Sequence, residues 1–196
     1  GIVGDIPILN KDSNQIKSVV YTGTLYKKFG IMNLIEAFSK IEDQNVVLKI
    51  AGNGDASSLI KEYAKRDNRI IYLGQLSNAD AIRLQLEATV LVNPRPNDEA
   101  YTKYSFPFKT MEYLVSGNPV ISFKLDGIPN EYDDVLIYFQ ENSIESIKAK
   151  LCEVLNLTDK ERYLIGQRAR NFIIDNKTPA AVGMKIYNLL NDNNKD

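Results

Sequence analysis

Histidine is absent from the 196-residue sequence. That removes Ser-His-Asp and Cys-His catalysis, histidine general bases and the commonest protein metal ligand together. Cysteine occurs once, as Cys152, so neither an internal disulfide nor a cysteine-rich metal site can be built. Its setting, Ala149-Lys-Leu-Cys-Glu-Val-Leu155, reads as the buried face of a helix, and a lone thiol is also compatible with a nucleophile. Neither sign of charge is in excess: 24 basic and 25 acidic residues leave a net charge of -1. There is thus no electrostatic footprint for nucleic acid and no polybasic patch for a membrane surface. No apolar run approaches a membrane span, and no charged-then-apolar start resembles a secretory signal, so a cytoplasmic location is expected. The chain opens on Gly1 rather than Met, which fits an excised piece, a processed product or a tag remnant. Asp133-Asp134 reads as a solvated turn, and no spacing of acids requires a divalent cation.

What is present is a regular alternation of short β-branched runs and helical periodicity. Ser18-Val-Val-Tyr-Thr22 reads as a strand ending at Gly23, and Ile31, Leu34, Ile35, Phe38 and Ile41 then recur at helical spacing. Asn45 to Ala51 predicts a strand, Asp55 to Arg66 a helix, and Arg69 to Leu73 a strand stopped by Gly74. Ser77 and Asp80 have the spacing of a capping box for a helix reaching about Glu87, followed by a strand over Ala88 to Val92. Further strands are expected over Asn118 to Phe123 and Val135 to Tyr138. Beyond about Ser143 the sequence reads as helical, with Thr158 and Glu161 as a second capping box and Thr178-Pro179 opening the last helix. One domain is the default at this length. The fold class is α/β: a Rossmann-like parallel sheet with helices on both faces and a helical C-terminus, in which ligands bind beyond the carboxyl ends of the strands.

Three loops at those ends, and the segment after the third, carry the candidate chemistry. In Gly23-Thr-Leu-Tyr-Lys-Lys-Phe-Gly30 two glycines bracket Lys27 and Lys28 before a helix, a setting for phosphate as well as for a plain turn. The spacing is not that of a P-loop. Ala51-Gly-Asn-Gly-Asp-Ala-Ser57 has Ser57 where a dinucleotide fingerprint has its third glycine, and no acid ends the following strand, so a nicotinamide enzyme fits poorly. Asn93 to Tyr104 is long for a connection and holds Arg95 and Lys103 as candidate anion contacts. In the segment that follows, Ser105 can cap a helix, Pro107 can occupy its first turn, and Lys109 and Glu112, three residues apart, share a face. The same segment also reads as a capped amphipathic helix with a solvated Lys and Glu.

In order and spacing, these pieces resemble the C-terminal, nucleotide-sugar-binding domain of group 1 (family 4) GT-B glycosyltransferases, which transfer sugars with retention. The resemblance covers nearly the whole chain. It is carried by Tyr21-Thr-Gly-Thr-Leu25 leading to Gly30, Leu34-Ile-Glu-Ala-Phe38, Leu48-Lys-Ile-Ala-Gly-Asn-Gly54, Ile70-Ile-Tyr-Leu-Gly74, Asn93-Pro-Arg95, Phe106-Pro-Phe-Lys-Thr-Met-Glu-Tyr-Leu114 and Gly117-Asn-Pro-Val-Ile121.

The resemblance implies a site residue by residue. Glu112 takes the place of the acid that hydrogen-bonds the ribose, and the strand end with Tyr72 and Leu73 that of the segment whose backbone receives the base. Lys109 and the backbone amides around Ser105, Phe106, Pro107 and Phe108, of which Pro107 itself has none to donate, meet the diphosphate. Gly23 and Thr24 lie near the donor phosphates, with Lys28 and Arg95 as further cations. Thr24 stands where many relatives have Arg, Phe29 where many have Lys, and Tyr104 where many have a glutamate separated from Glu112 by seven residues. The implied donor is a nucleotide-diphosphate sugar, with no further cofactor and no metal. The implied partner is an N-terminal acceptor-binding domain outside this chain, so that the chain alone binds nucleotide weakly and transfers nothing; transfer by the chain alone would contradict this. Membrane contact is expected only through that outside region. A non-catalytic nucleotide-binding or regulatory module, or half of another GT-B enzyme such as a nucleotide-sugar epimerase, are the alternatives.

Overall fold

A computed structural model describes residues 16–97 and 108–192. Six parallel strands form one sheet: β1 (Lys17–Thr22), β2 (Val46–Ala51), β3 (Ile70–Gly74), β4 (Val90–Asn93), β5 (Val120–Ser122) and β6 (Ile137–Tyr138). Their order across the sheet is β3-β2-β1-β4-β5-β6. The first three strands step one way; the chain then returns to lay β4 beside β1, with Val19 opposite Val90 and Val20 opposite Leu91. This is the Rossmann-like arrangement expected from the alternation, and β1/β4 is its switch point. Strands buried on both faces read as apolar runs rather than as alternating ones. Accordingly all four residues of β4 are buried, whereas Tyr72 and Leu73 on edge strand β3 are partly exposed.

The crossover helices are α1 (Ile31–Ser39), α2 (Ser57–Arg66), α3 (Asn78–Glu87) and α4, described from Phe108 to Val115. Right-handed crossovers put α1 and α2 on one face of the sheet and α3 and α4 on the other. Three further helices end the chain: α5 (Ile144–Asn156), α6 (Asp159–Lys177) and α7 (Pro179–Asp192). α5 packs on α1, and α6 on α4. The last contact is close because Gly166 of α6 lies against the backbone that follows α4; a Cβ there would stand 1.9 Å from the Gly117 carbonyl oxygen. Thr158 and Glu161 form the full reciprocal capping box at the start of α6, and Ser77 caps α3 by accepting from the Asp80 amide.

Several boundaries differ from those read in the sequence, each for a local reason. Asp55 lies ahead of α2 because its carboxylate accepts the Lys27 amide at 2.9 Å. Thr89 exchanges hydrogen bonds with Ser18 through both backbone and hydroxyl, so β4 starts at Val90 rather than Ala88. Asn118 turns its side chain to the Gln85 and Leu86 carbonyls and stays out of β5. Val135 and Leu136 close a turn onto Tyr132, leaving only Ile137 and Tyr138 to pair with β5. No helix among the described residues is long and apolar enough to cross a membrane.

Candidate functional site

At the carboxyl edge the loops after β1 and β2 are stitched together. The Gly23 amide donates to Ala51, that of Leu25 to Asn53, and that of Ala56 back to Leu25, at 2.9–3.0 Å. Only glycine admits such an approach: at Gly52, with φ 142°, a Cβ would fall 1.7 Å from the Gly23 carbonyl oxygen. The joined loops hold Thr24 exposed and present Lys27 and Lys28 on a single 3-10 turn. That turn ends at Gly30, in the left-handed conformation (φ 77°), where a Cβ would be 2.1 Å from the Pro94 carbonyl oxygen. The β1 and β4 loops therefore touch across the switch point.

Phe29 organises the cations at this contact. The Arg95 guanidinium lies 5.0 Å from its ring centroid and the Lys28 ammonium 5.7 Å, distances at which the ring quadrupole attracts a cation. Tyr21 lies beneath, donating to the Thr24 carbonyl at 2.7 Å. Burial pushes its phenol up to about 12, with the Arg95 charge opposing, so Tyr21 stays protonated and pins the loop at neutral pH.

On the other side of the switch point stands Glu112 of α4, its side chain 28% exposed. One carboxylate oxygen accepts from Gln85 Nε2 at 2.5 Å and the other from Lys109 Nζ at 3.4 Å. Gln85 also donates to Thr22 Oγ1 at 2.9 Å. Tyr113, wholly buried, takes the Thr22 amide and donates to the Thr22 carbonyl, both at 2.8 Å. Burial drives its phenol far above the ordinary tyrosine range. Asn93, at the end of β4, donates to Thr110 Oγ1 at 3.3 Å. Polar ends of β1 and β4 thus set the height of α4 above the sheet.

Of the residues picked out from sequence, Gly23, Thr24, Lys28 and Arg95 gather on the β1/β4 loops, and Lys109 and Glu112 stand on α4, which Tyr113 ties to the end of β1. Phe108 is 75% exposed at the first described position of α4. Tyr72 and Leu73 lie one strand beyond β2, tied to the rim by the Tyr72 hydroxyl, which donates to the Gly52 carbonyl at 3.1 Å. Ser105, Phe106 and Pro107, like Lys103 and Tyr104, lie outside the described residues. Sequence reasoning missed Gln85, Thr22 and Tyr113. The available signal was Gln85 at helical spacing between Ile82 and Ala88, a polar residue on the inward stripe of α3. No group of three or more His, Cys, Asp or Glu among the described residues is placed to hold a metal ion.

A doubly wound parallel sheet with glycine-tied loops, clustered cations and a braced acid at its switch point is the Rossmann-like half of a GT-B architecture. The chain belongs to the glycosyl transferases group 1 family, whose model matches residues 16–157. Among solved structures, a TarM variant from S. aureus in complex with fondaparinux, alpha-GlcNAc-glycerol and UDP superposes with a TM-score of 0.69 at 18% identity, covering 95% of this chain and 38% of that one. HepE of Anabaena in complex with UDP gives 0.72 at 16%, covering 92% and 50%. The C-terminal domain of LpcC, a group 1 family glycosyl transferase from Francisella tularensis, gives 0.66 at 17%, covering 84% and 88%. The chain therefore spans half or less of the TarM and HepE structures but most of the isolated LpcC domain. No curated protein sequence matches.

Proposed function

We propose that the chain is the donor-binding domain of a retaining glycosyltransferase that moves a sugar from a nucleoside diphosphate to a glycan or glycoconjugate acceptor, in the manner of polysaccharide biosynthesis. The observation that supports this most is Glu112, a partly exposed carboxylate held from behind by Gln85 at the β1/β4 switch point. Such a group suits the vicinal hydroxyls of a ribose, because an ionised carboxylate offers about four acceptor positions and the described residues take two of them. Lys28, Arg95 and Lys109 then serve the diphosphate, Gly23 and Thr24 let it approach backbone, and the Tyr72–Leu73 strand end receives the base. Ser105, Phe106, Pro107 and Phe108 are assigned to the diphosphate as well.

The chemistry follows from charge. Transfer breaks the bond between the anomeric carbon and the diphosphate oxygen, and negative charge grows on the leaving phosphate. Lysine and arginine donors meet that charge with hydrogen bonds roughly twice as strong as neutral ones, so in this reading neither a metal nor a further cofactor is required. The acceptor is bound by an N-terminal domain outside this chain, and the whole enzyme works in the cytoplasm.

Calorimetric titration with UDP, GDP and ADP tests the reading. One of them is expected to bind, and Glu112→Ala is expected to weaken it by roughly tenfold or more, the scale of a hydrogen bond to a charged group. Unchanged affinity in that variant refutes the ribose role.

A further inference from the structure

We propose that Gln85 is the positioning residue for Glu112: its carboxamide fixes the carboxylate in the orientation that accepts a vicinal diol, and so sets ribose selectivity at the site. The inference rests on the donor-binding reading above.

Gln85 lies on α3, which carries none of the site residues picked out from sequence, and is 2% exposed. Burying a carboxamide is costly unless its donors are used, and here both nitrogen protons have acceptors, Thr22 Oγ1 at 2.9 Å and Glu112 Oε1 at 2.5 Å. Rotating the amide by half a turn would set its oxygen against the carboxylate, so the orientation is determined by its neighbours. The direction of every bond in the chain can then be assigned. Tyr113 spends its single proton on the Thr22 carbonyl. In the 3.3 Å contact between Tyr113 Oη and Thr22 Oγ1, the threonine is therefore the donor, and it accepts from Gln85. Gln85 in turn has its remaining proton for Glu112. The backbone of Gln85 is also braced, since Asn118 Nδ2 donates to its carbonyl at 2.8 Å. A fixed interior donor thus ends on a long, half-buried acidic side chain that would otherwise lose rotamer freedom on binding. Among the described residues Oε1 has one interior bond and Oε2 the Lys109 contact, which leaves the outward lone pairs for a pair of hydroxyls.

The test compares two ligands on the whole chain by calorimetry: whichever of UDP, GDP and ADP binds, and its 2′,3′-dideoxy form. Gln85→Met keeps side-chain length and removes both donors. It should weaken the ribonucleotide by roughly five- to tenfold, the scale of one net hydrogen bond, and leave the dideoxy form unchanged. Equal losses for both ligands, or no loss for either, overturn the proposal. If Gln85→Met does not fold, Thr22→Val carries the test, because the β-branched shape and both backbone bonds to Tyr113 are kept while one anchor of the carboxamide is lost. It should weaken the ribonucleotide selectively, and wild-type behaviour of that variant overturns the proposal. Absence of binding by the unsubstituted chain with all three nucleotides overturns the donor-binding reading, and this inference falls with it.

Discussion

The Lys109 and Glu112 side chains sit on one face of α4, three residues apart, and touch at 3.4 Å. Two roles are open to a cation placed so: it can neutralise the acid, or it can turn outward to an anion. Its side chain is 38% exposed, and an ion pair that accessible contributes little to stability, so the pair can be broken by a ligand at small cost. Lys109→Ala should therefore leave folding nearly unchanged and weaken UDP by about fivefold or more while sparing uridine, measured by parallel titrations. Equal losses for nucleotide and nucleoside would contradict a phosphate role. The helical spacing that pairs Lys109 with Glu112 was legible in the sequence. Gln85 was not, because a glutamine on a helix is usually solvated; only the packing of α3 over the end of β1 turns it inward to Thr22 and Glu112.

Among the elements, α4 is held by side chains from the sheet below and by backbone contact with α6 above. The β-strand runs, the helical periodicities and the caps at Ser77, Thr158 and Thr178 could be read from local chemistry alone. Several element boundaries could not, because Asp55, Thr89 and Asn118 each use a side chain to bond a neighbouring element, and those partners lie from 28 to 71 residues away. The α4–α6 contact gives a test at this scale. In an ordinary helix Gly→Ala gains about 1 kcal/mol from propensity. At Gly166 the new Cβ would lie 1.9 Å from the Gly117 carbonyl oxygen and 3.0 Å from Asn118 Cα, both backbone atoms that cannot rotate away. Overpacking of this kind costs about 1–3 kcal/mol, which exceeds the gain. Gly166→Ala should lower the urea midpoint; an unchanged or raised midpoint would show that α6 does not sit where described.

For the whole molecule, order across the sheet matters more than any single motif. The glycine loops, the segment with Arg95 and the helix with Glu112 are far apart in sequence, and the return of the chain from β3 to β4 brings the strands that carry them side by side. Regular strand–helix alternation made a parallel sheet with right-handed crossovers predictable, whereas the order β3-β2-β1-β4-β5-β6 comes from the structure. The formal charge of -1 conceals a local gathering of positive charge, since Lys28 and Arg95 share the Phe29 ring. A competing location exists at the opposite end of the sheet: a cleft of about 720 Å³ lined by Ser39, Gln44, Tyr63, Arg66 and Arg69 among others. Its buried arginine is already committed, with Arg69 donating to Asp67 and to the Ile41 and Asp43 carbonyls. Exposed Lys65 and Arg66 also line the cleft, but the carboxylate in its lining, Asp67, is bound by Arg69, so the switch point, where Glu112 stands beside the cations, is preferred on chemistry.

The most direct test is amide chemical-shift mapping of the ¹⁵N-labelled chain during titration with UDP, GDP or ADP. Binding at the switch point predicts shifts concentrated at residues 23–30, 72–74, 93–95 and 109–113, which Glu112→Ala moves together to roughly tenfold or more higher ligand concentration. Shifts centred instead on residues 39–44 and 63–69, at the far end of the sheet, would contradict the account.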